Sequence, residues 1–266
     1  MRWIITGFCQ KSGRQQGAYQ RTKRTKFAFA LLPVSLLTFP QNLQAGEGYI
    51  TAGIGGGLKT LNSYQAIIYA PFGSLSDNGL ILRDWTKAFR FGYQTDLPAA
   101  SNVSISAMGL SLEGEIGWRF NFNQSSLAVY GGIVWRQHKL LPDDPGSTLD
   151  KDRIGFSATL DGEYRFSPDY AIMANASYLQ GFNQFWVQAK PYRNMKLGGN
   201  WKFGLDISSA GGRDYNNSRI GIFASDYEFS FWSGKRMFLG AEAGVKFSLK
   251  DKETTPYAGI NIGYLF

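Results

Sequence analysis

The residues able to do chemistry fall in rows along the chain. Glu113, Glu115 and Arg119 alternate with apolar neighbours, and so do Asp161, Glu163 and Arg165. Arg136, Lys202, Asp206, Glu242 and Lys246 sit in three further rows of the same kind. Mixed signs at every second position fit a polar interior in which charges pair with each other or line a water-filled channel. The row pattern leaves both open. The one histidine, His138, cannot hold a metal alone. A hydrolase reading would need His138 to meet a serine such as Ser125 or Ser147, and no recognisable motif joins them. Pro142-Asp143-Asp144-Pro145-Gly146 forms a compact turn set, read as a rigid external loop, with calcium binding or glycan contact through Asp143 and Asp144 as the alternative. Gly53-Ile54-Gly55-Gly56-Gly57 has no helix after it and is read as strand rather than phosphate loop. Trp85, Phe89, Tyr93, Trp186 and Tyr192 could stack on sugar rings or anchor at a membrane interface.

The elements holding these rows are strands. From Arg153 to Phe166, Ile154, Phe156, Ala158, Leu160, Tyr164 and Phe166 share one face and the polar residues share the other. The same alternation runs through Met108–Phe120, Leu127–His138, Trp201–Ser208 and Met237–Ser248, with weaker strands near 46–58, 63–71, 80–94, 169–181, 185–197 and 217–231. In the last of these the apolar parity slips between Ala224 and Tyr227, which predicts a bulge. The sum is an all-β fold of about twelve strands in one domain, residues 46–266. Its connections form two sets by parity. One contains the long polar loops 95–102, 140–152 and 208–216. The other is mostly tight, although 72–79 is longer than such a turn needs.

Composition agrees. Aromatics reach 15%, glycine numbers 32 and charged residues are 18% of 266, which excludes a disordered chain. Residues 1–45 hold seven Lys or Arg and no acid. The 28 basic residues less these 7 leave 21 against 20 acids, so the net charge of +8 belongs mostly to that segment and gives no support to nucleic-acid binding. Residues 21–45 place a basic stretch before FAFALLPVSLLTF and a small-residue exit, which predicts a signal peptide cleaved after Ala45.

Alternation alone does not tell a soluble sandwich from a membrane barrel. Three features favour an antiparallel transmembrane β-barrel: a polar face charged strand after strand, aromatics near strand ends (Trp118, Phe120, Trp135, Tyr164, Phe166, Tyr170, Tyr178, Trp201), and a final strand ending Ile260, Ile262, Tyr264, Phe266. Such an ending resembles the signal that outer-membrane proteins present to their assembly machinery.

Four segments together resemble the BcsS family of bacterial cellulose biosynthesis proteins: SYQAIIYAPFGSLSDNGLILR (63–83), VYGGIVWRQHKLLPDDPGST (129–148), ASYLQGFNQFWVQAKPYR (176–193) and the stretch from Lys202 to Phe223. Gly204-Leu205-Asp206 departs from the family's common Gly-Pro-Glu. The resemblance implies a non-enzymatic outer-membrane barrel without a cofactor, assisting cellulose production or export. Its partners would be outer-membrane lipid, the assembly machinery through Phe266, and a cellulose chain or other cellulose synthase proteins. A general porin without a glucan role is the competing expectation.

Overall fold

In a computed structural model, the chain is described over residues 46–266 apart from 98–99, 145–146, 148–151, 197–198, 213–215, 232–234 and 250–251. The expected signal peptide, its cleavage point and part of the Pro-Asp-Asp-Pro turn lie outside the described residues. Twelve strands run in order: β1 (Glu47–Gly57), β2 (Thr60–Ala70), β3 (Gly79–Leu97), β4 (Ala100–Phe122), β5 (Ser125–Leu141), β6 (Arg153–Arg165), β7 (Tyr170–Gln180), β8 (Gln184–Lys196), β9 (Asn200–Gly211), β10 (Asn216–Phe231), β11 (Lys235–Ser248) and β12 (Glu253–Leu265). Each pairs antiparallel with its sequence neighbours, and β1 pairs with β12, so the sheet closes into a barrel.

Closure is completed at the chain's end. The Gly48 amide donates to the Phe266 carbonyl and the Phe266 amide to the Gly48 carbonyl, each at 2.8 Å. A closed ring leaves no strand edge with unpaired amides, the condition for a sheet to sit in hydrocarbon.

The alternation resolves as the rows imply. Ile116, Ile133, Ile154, Phe156, Leu160, Ile222 and Ile260 face outward and are exposed, whereas Glu113, Glu115, Thr159, Asp206 and Ser208 are buried inside. Outward aromatics gather toward both ends. Phe120, Phe122, Tyr164, Phe166 and Tyr170 stand at the end where β1 begins and β12 finishes, and Phe156, Tyr178, Phe185 and Phe247 at the other. This is an apolar band between aromatic girdles, the build of a membrane-spanning barrel of the outer-membrane type.

The expected slip in β10 is a bulge. Ala224 pairs with Ala241 and Tyr227 with Leu239, so β10 carries one extra residue. Asp226 takes up that residue at φ 61°. The bulge switches parity, keeping Ile220 and Ile222 outward before it and Tyr227 and Phe229 outward after it.

Two connections differ from expectation. The segment 95–102, expected as a loop, is strand up to Leu97 and again from Ala100. β3 and β4, at 19 and 23 residues, exceed the 9–11 residues a span needs, so this hairpin projects by roughly eight residues, about 25 Å of strand. Its inner face explains why it stays paired. Ile105, Ala107 and Leu140 are buried there with Phe91, Tyr93 and Val103 against them. The long 71–78 turn folds into the terminal end of the barrel. Leu75 packs on Ala70, Ile81, Ala128 and Tyr130, the Glu47 carboxylate accepts from Ser74 Oγ (2.6 Å) and the Leu75 amide (2.7 Å), and Arg119 donates to the Leu75 carbonyl.

Neighbouring glycines test the two faces separately. A Cβ on Gly132 would lie 2.2 Å from the Gly114 carbonyl oxygen, whereas one on Gly131 would meet nothing within 4 Å. Gly132→Val is therefore expected to lower unfolding stability by about 1–3 kcal/mol, and Gly131→Val to leave it nearly unchanged. Urea unfolding of the detergent-refolded chain, followed by loss of the compact gel species, measures both.

Candidate functional site: the barrel lumen

The inward rows bring their charges together across the lumen. Arg83 on β3 is buried, and its guanidinium contacts Glu115 on β4 (Nε–Oε2 2.6 Å) and Asp161 on β6. Tyr130 lies beneath it, its ring centre 3.9 Å from the guanidinium carbon. Thr159 Oγ1 donates to the other Glu115 oxygen at 3.0 Å, and the Asn175 amide to Asp161. Since β3 and β6 are not neighbours, the Arg83–Asp161 contact crosses the interior. A second group joins Lys202 on β9 to Asp226 in the bulge (2.9 Å) and to Glu163 on β6 (3.5 Å), with Arg165 on the same Glu163 (2.8 Å). In a third, Lys190 on β8 reaches Glu242 on β11 (3.4 Å), which Arg219 approaches at 3.9 Å. Asp206 accepts from Gln188 Nε2 (2.7 Å) and Tyr257 Oη (3.5 Å). The Arg136 guanidinium donates to Gln184 at 2.6 Å, and Lys87 pairs with Glu113 at 2.9 Å.

All the acids and bases expected to face inward do so, and within the described residues they bridge strands more than they line an open channel. Between them remains a cavity of about 560 Å³. Trp85, Trp186, Tyr64 and Tyr257 give it aromatic walls, Asn175, Gln188 and Asn261 give it amides, and Lys246 with Arg219 gives it cations. Trp85 and Trp186 are thus interior residues, and so are Phe89, Tyr93 and Tyr192 on the same inward rows, so none anchors at the membrane interface. Phe89, Phe91 and Tyr93 run toward the projecting hairpin, adjacent ring centres 6.3 and 6.2 Å apart and tilted by 20° and 30°.

One expectation changes. Asp144 is buried and accepts from Tyr93 Oη at 2.9 Å, so it ties β5 to the β3–β4 hairpin rather than offering an open ligand; Asp143 stays exposed. His138 packs edge-on against Phe89 at 5.3 Å, on the inward row of β5. Among the described residues no group of three or more His, Cys, Asp or Glu could hold a metal ion. Arg83, Lys87, Lys190, Arg219 and Asp226 belong to the site and were not among the expected lumen residues. Their signal was their parity with Trp85, Phe223 and the bulge, which only becomes legible once the strand faces are known.

A family profile described as cellulose biosynthesis protein BcsS matches residues 55–263. The chain belongs to this family. The match spans β1 to β12 and so takes in every lumen group described above. A sequence comparison with curated proteins found no match. Among solved structures the chain is similar to a KdgM porin (10% identity, TM-score 0.46, 81% of this chain and 98% of that one) and to an outer membrane channel from Pseudomonas putida F1 (12% identity, TM-score 0.49, 86% and 100%). The transport unit of the autotransporter AIDA-I from Escherichia coli is similar at 12% identity and TM-score 0.44, over 86% and 94%. No residue role comes to this BcsS chain from them.

The Arg83–Glu115 pair has side-chain exposures of 5% and 0%, so removing one partner strands the other in a poorly solvated interior. Arg83→Ala is expected to cost about 3–5 kcal/mol of unfolding stability. Arg83→Ala with Glu115→Ala is expected to cost clearly less than the sum of the single changes. Lys59→Ala, which breaks an exposed pair with Glu253, is expected to cost under about 1 kcal/mol. A double-mutant cycle in urea reads all of them.

Proposed function

We propose that this chain is a non-enzymatic barrel of the bacterial outer membrane that assists cellulose synthesis or export by holding glucan in its lumen. The family match over residues 55–263 supports the cellulose role. The observation that carries the glucan contact is the cavity between Trp85 and Trp186, where aromatic faces stand beside amide donors and acceptors. Pyranose rings present C–H faces to aromatic rings and hydroxyls to amides and to charged side chains such as Asp161, Glu163, Lys190 and Glu242, which also line the cavity, so this lining suits a sugar chain. The ion pairs around the cavity hold its walls rigid. Both termini face the periplasm in this reading, the β3–β4 hairpin faces outward from the cell, and the terminal Phe266 is the feature the assembly machinery takes up.

Deleting the gene in its host is expected to lower secreted cellulose, with recovery on complementation; normal cellulose from the deletion strain ends the biological reading. Trp85→Ala combined with Trp186→Ala is expected to keep the heat-dependent gel shift of a folded barrel and to fail to complement. In the purified wild-type chain, cello-oligosaccharides should change tryptophan fluorescence in a saturable way. No change at millimolar cellohexaose removes the glucan contact.

A further inference from the structure

We infer that the outer face of β2, β3 and β4 around Asp84 is an interface between two copies of this chain within the membrane. Pairing fixes which side chains point out. Ala66 lies opposite Trp85 and Ile68 opposite Arg83, all on the lumen side, so Ser63, Gln65, Asp84 and Thr86 face outward. Asp84 is exposed. Its partner on β4 is Gly114, and the space a Cβ would take there is open. Trp118 of the aromatic girdle stands four residues further along β4, about 13 Å of strand, which sets Asp84 well inside an apolar band about 25 Å tall. Among the described residues no other acid or base faces outward between the girdles; the outward rows of β6, β9, β11 and β12 are apolar there.

A carboxylate facing acyl chains loses its hydration without gaining a partner, so an exposed acid at this depth marks a protein contact. The patch carries both halves of that contact. Asp84 accepts hydrogen bonds, while the Gln65 amide and the Ser63 and Thr86 hydroxyls donate them. A two-fold axis along the membrane normal sets patch on patch, placing one copy's donors against the other's Asp84. Among the described residues the outward cations Arg90, Lys139 and Arg193 stand at the girdles or beyond them and none lies at the depth of Asp84 to receive it head to tail, so the contact is the symmetric one. Gly114 leaves room for close approach. This inference rests on the membrane placement proposed above.

The test uses the full chain with Cys9→Ser, assembled in cells, carrying Thr86→Cys or Gln65→Cys. After oxidation of the membranes, each is expected to give a disulfide-linked species of twice the chain mass, and Ile222→Cys on β10 is not. Adding Asp84→Leu to Thr86→Cys is expected to lower that species at least tenfold, and Asp84→Asn, which keeps a hydrogen-bonding head, to retain most of it. Only monomer from both cysteine variants, with the heat-dependent gel shift intact, overturns the interface and leaves the barrel standing. A linked species of any other mass also overturns it, in favour of a different protein partner. A chain extracted without detergent and lacking the gel shift takes down the membrane placement and the interface together.

Discussion

Hydrocarbon offers no hydrogen bond to a stray backbone amide, and the rest of this molecule is arranged around that constraint. Each unsatisfied group costs several kcal/mol in lipid, so the first and last strands must find each other. They do so along β1 and β12, ending in the reciprocal Gly48–Phe266 pair. Once the ring is closed, every strand has one lipid-facing side and one enclosed side. That division makes the charged rows tolerable, because their charges are enclosed with partners.

The enclosed charges then act as braces. A barrel wall is one sheet thick, and its backbone ladder ties only neighbouring strands. Arg83 reaching Asp161, Lys190 reaching Glu242 and Tyr257 reaching Asp206 connect strands that the ladder leaves apart. The inward 71–78 turn does the same at one end, anchored by Glu47 and Arg119. These braces occupy part of the lumen and shape the remaining cavity, which Trp85, Trp186 and the amides of Asn175 and Gln188 line. The cross-lumen bracing and the cavity lining thus come from the same inward rows.

β3 shows how far a strand can depart from the general rule without breaking it. Its inner row mixes Arg83 and Lys87 with Trp85, Phe89, Phe91 and Tyr93, while its outer row includes Asp84 and Thr86. An alternation read by hydropathy alone gives this strand no clear inside. Its neighbours decide the matter. Glu113 and Glu115 on β4 fix Lys87 and Arg83 to the lumen by ion pairing, and parity carries Asp84 outward.

Period-two patterning is a property of the chain taken a few residues at a time, and it was sufficient for the strands, their approximate number, the division of each strand into two faces and the bulge near Ala224. It put Glu113, Asp161, Asp206 and Glu242 on one face, and the aromatics at the strand ends together with the charged rows turned that face inward. What each charge meets is set by the barrel's curvature and the stagger of strands far apart in sequence, so Arg83 with Asp161 or Lys202 with Asp226 could come only from the folded molecule. The same holds for the buried Asp144 and for the hairpin that replaced the expected 95–102 loop. There, packing against Ile105 and Leu140 extends pairing into a segment whose own composition reads as a turn.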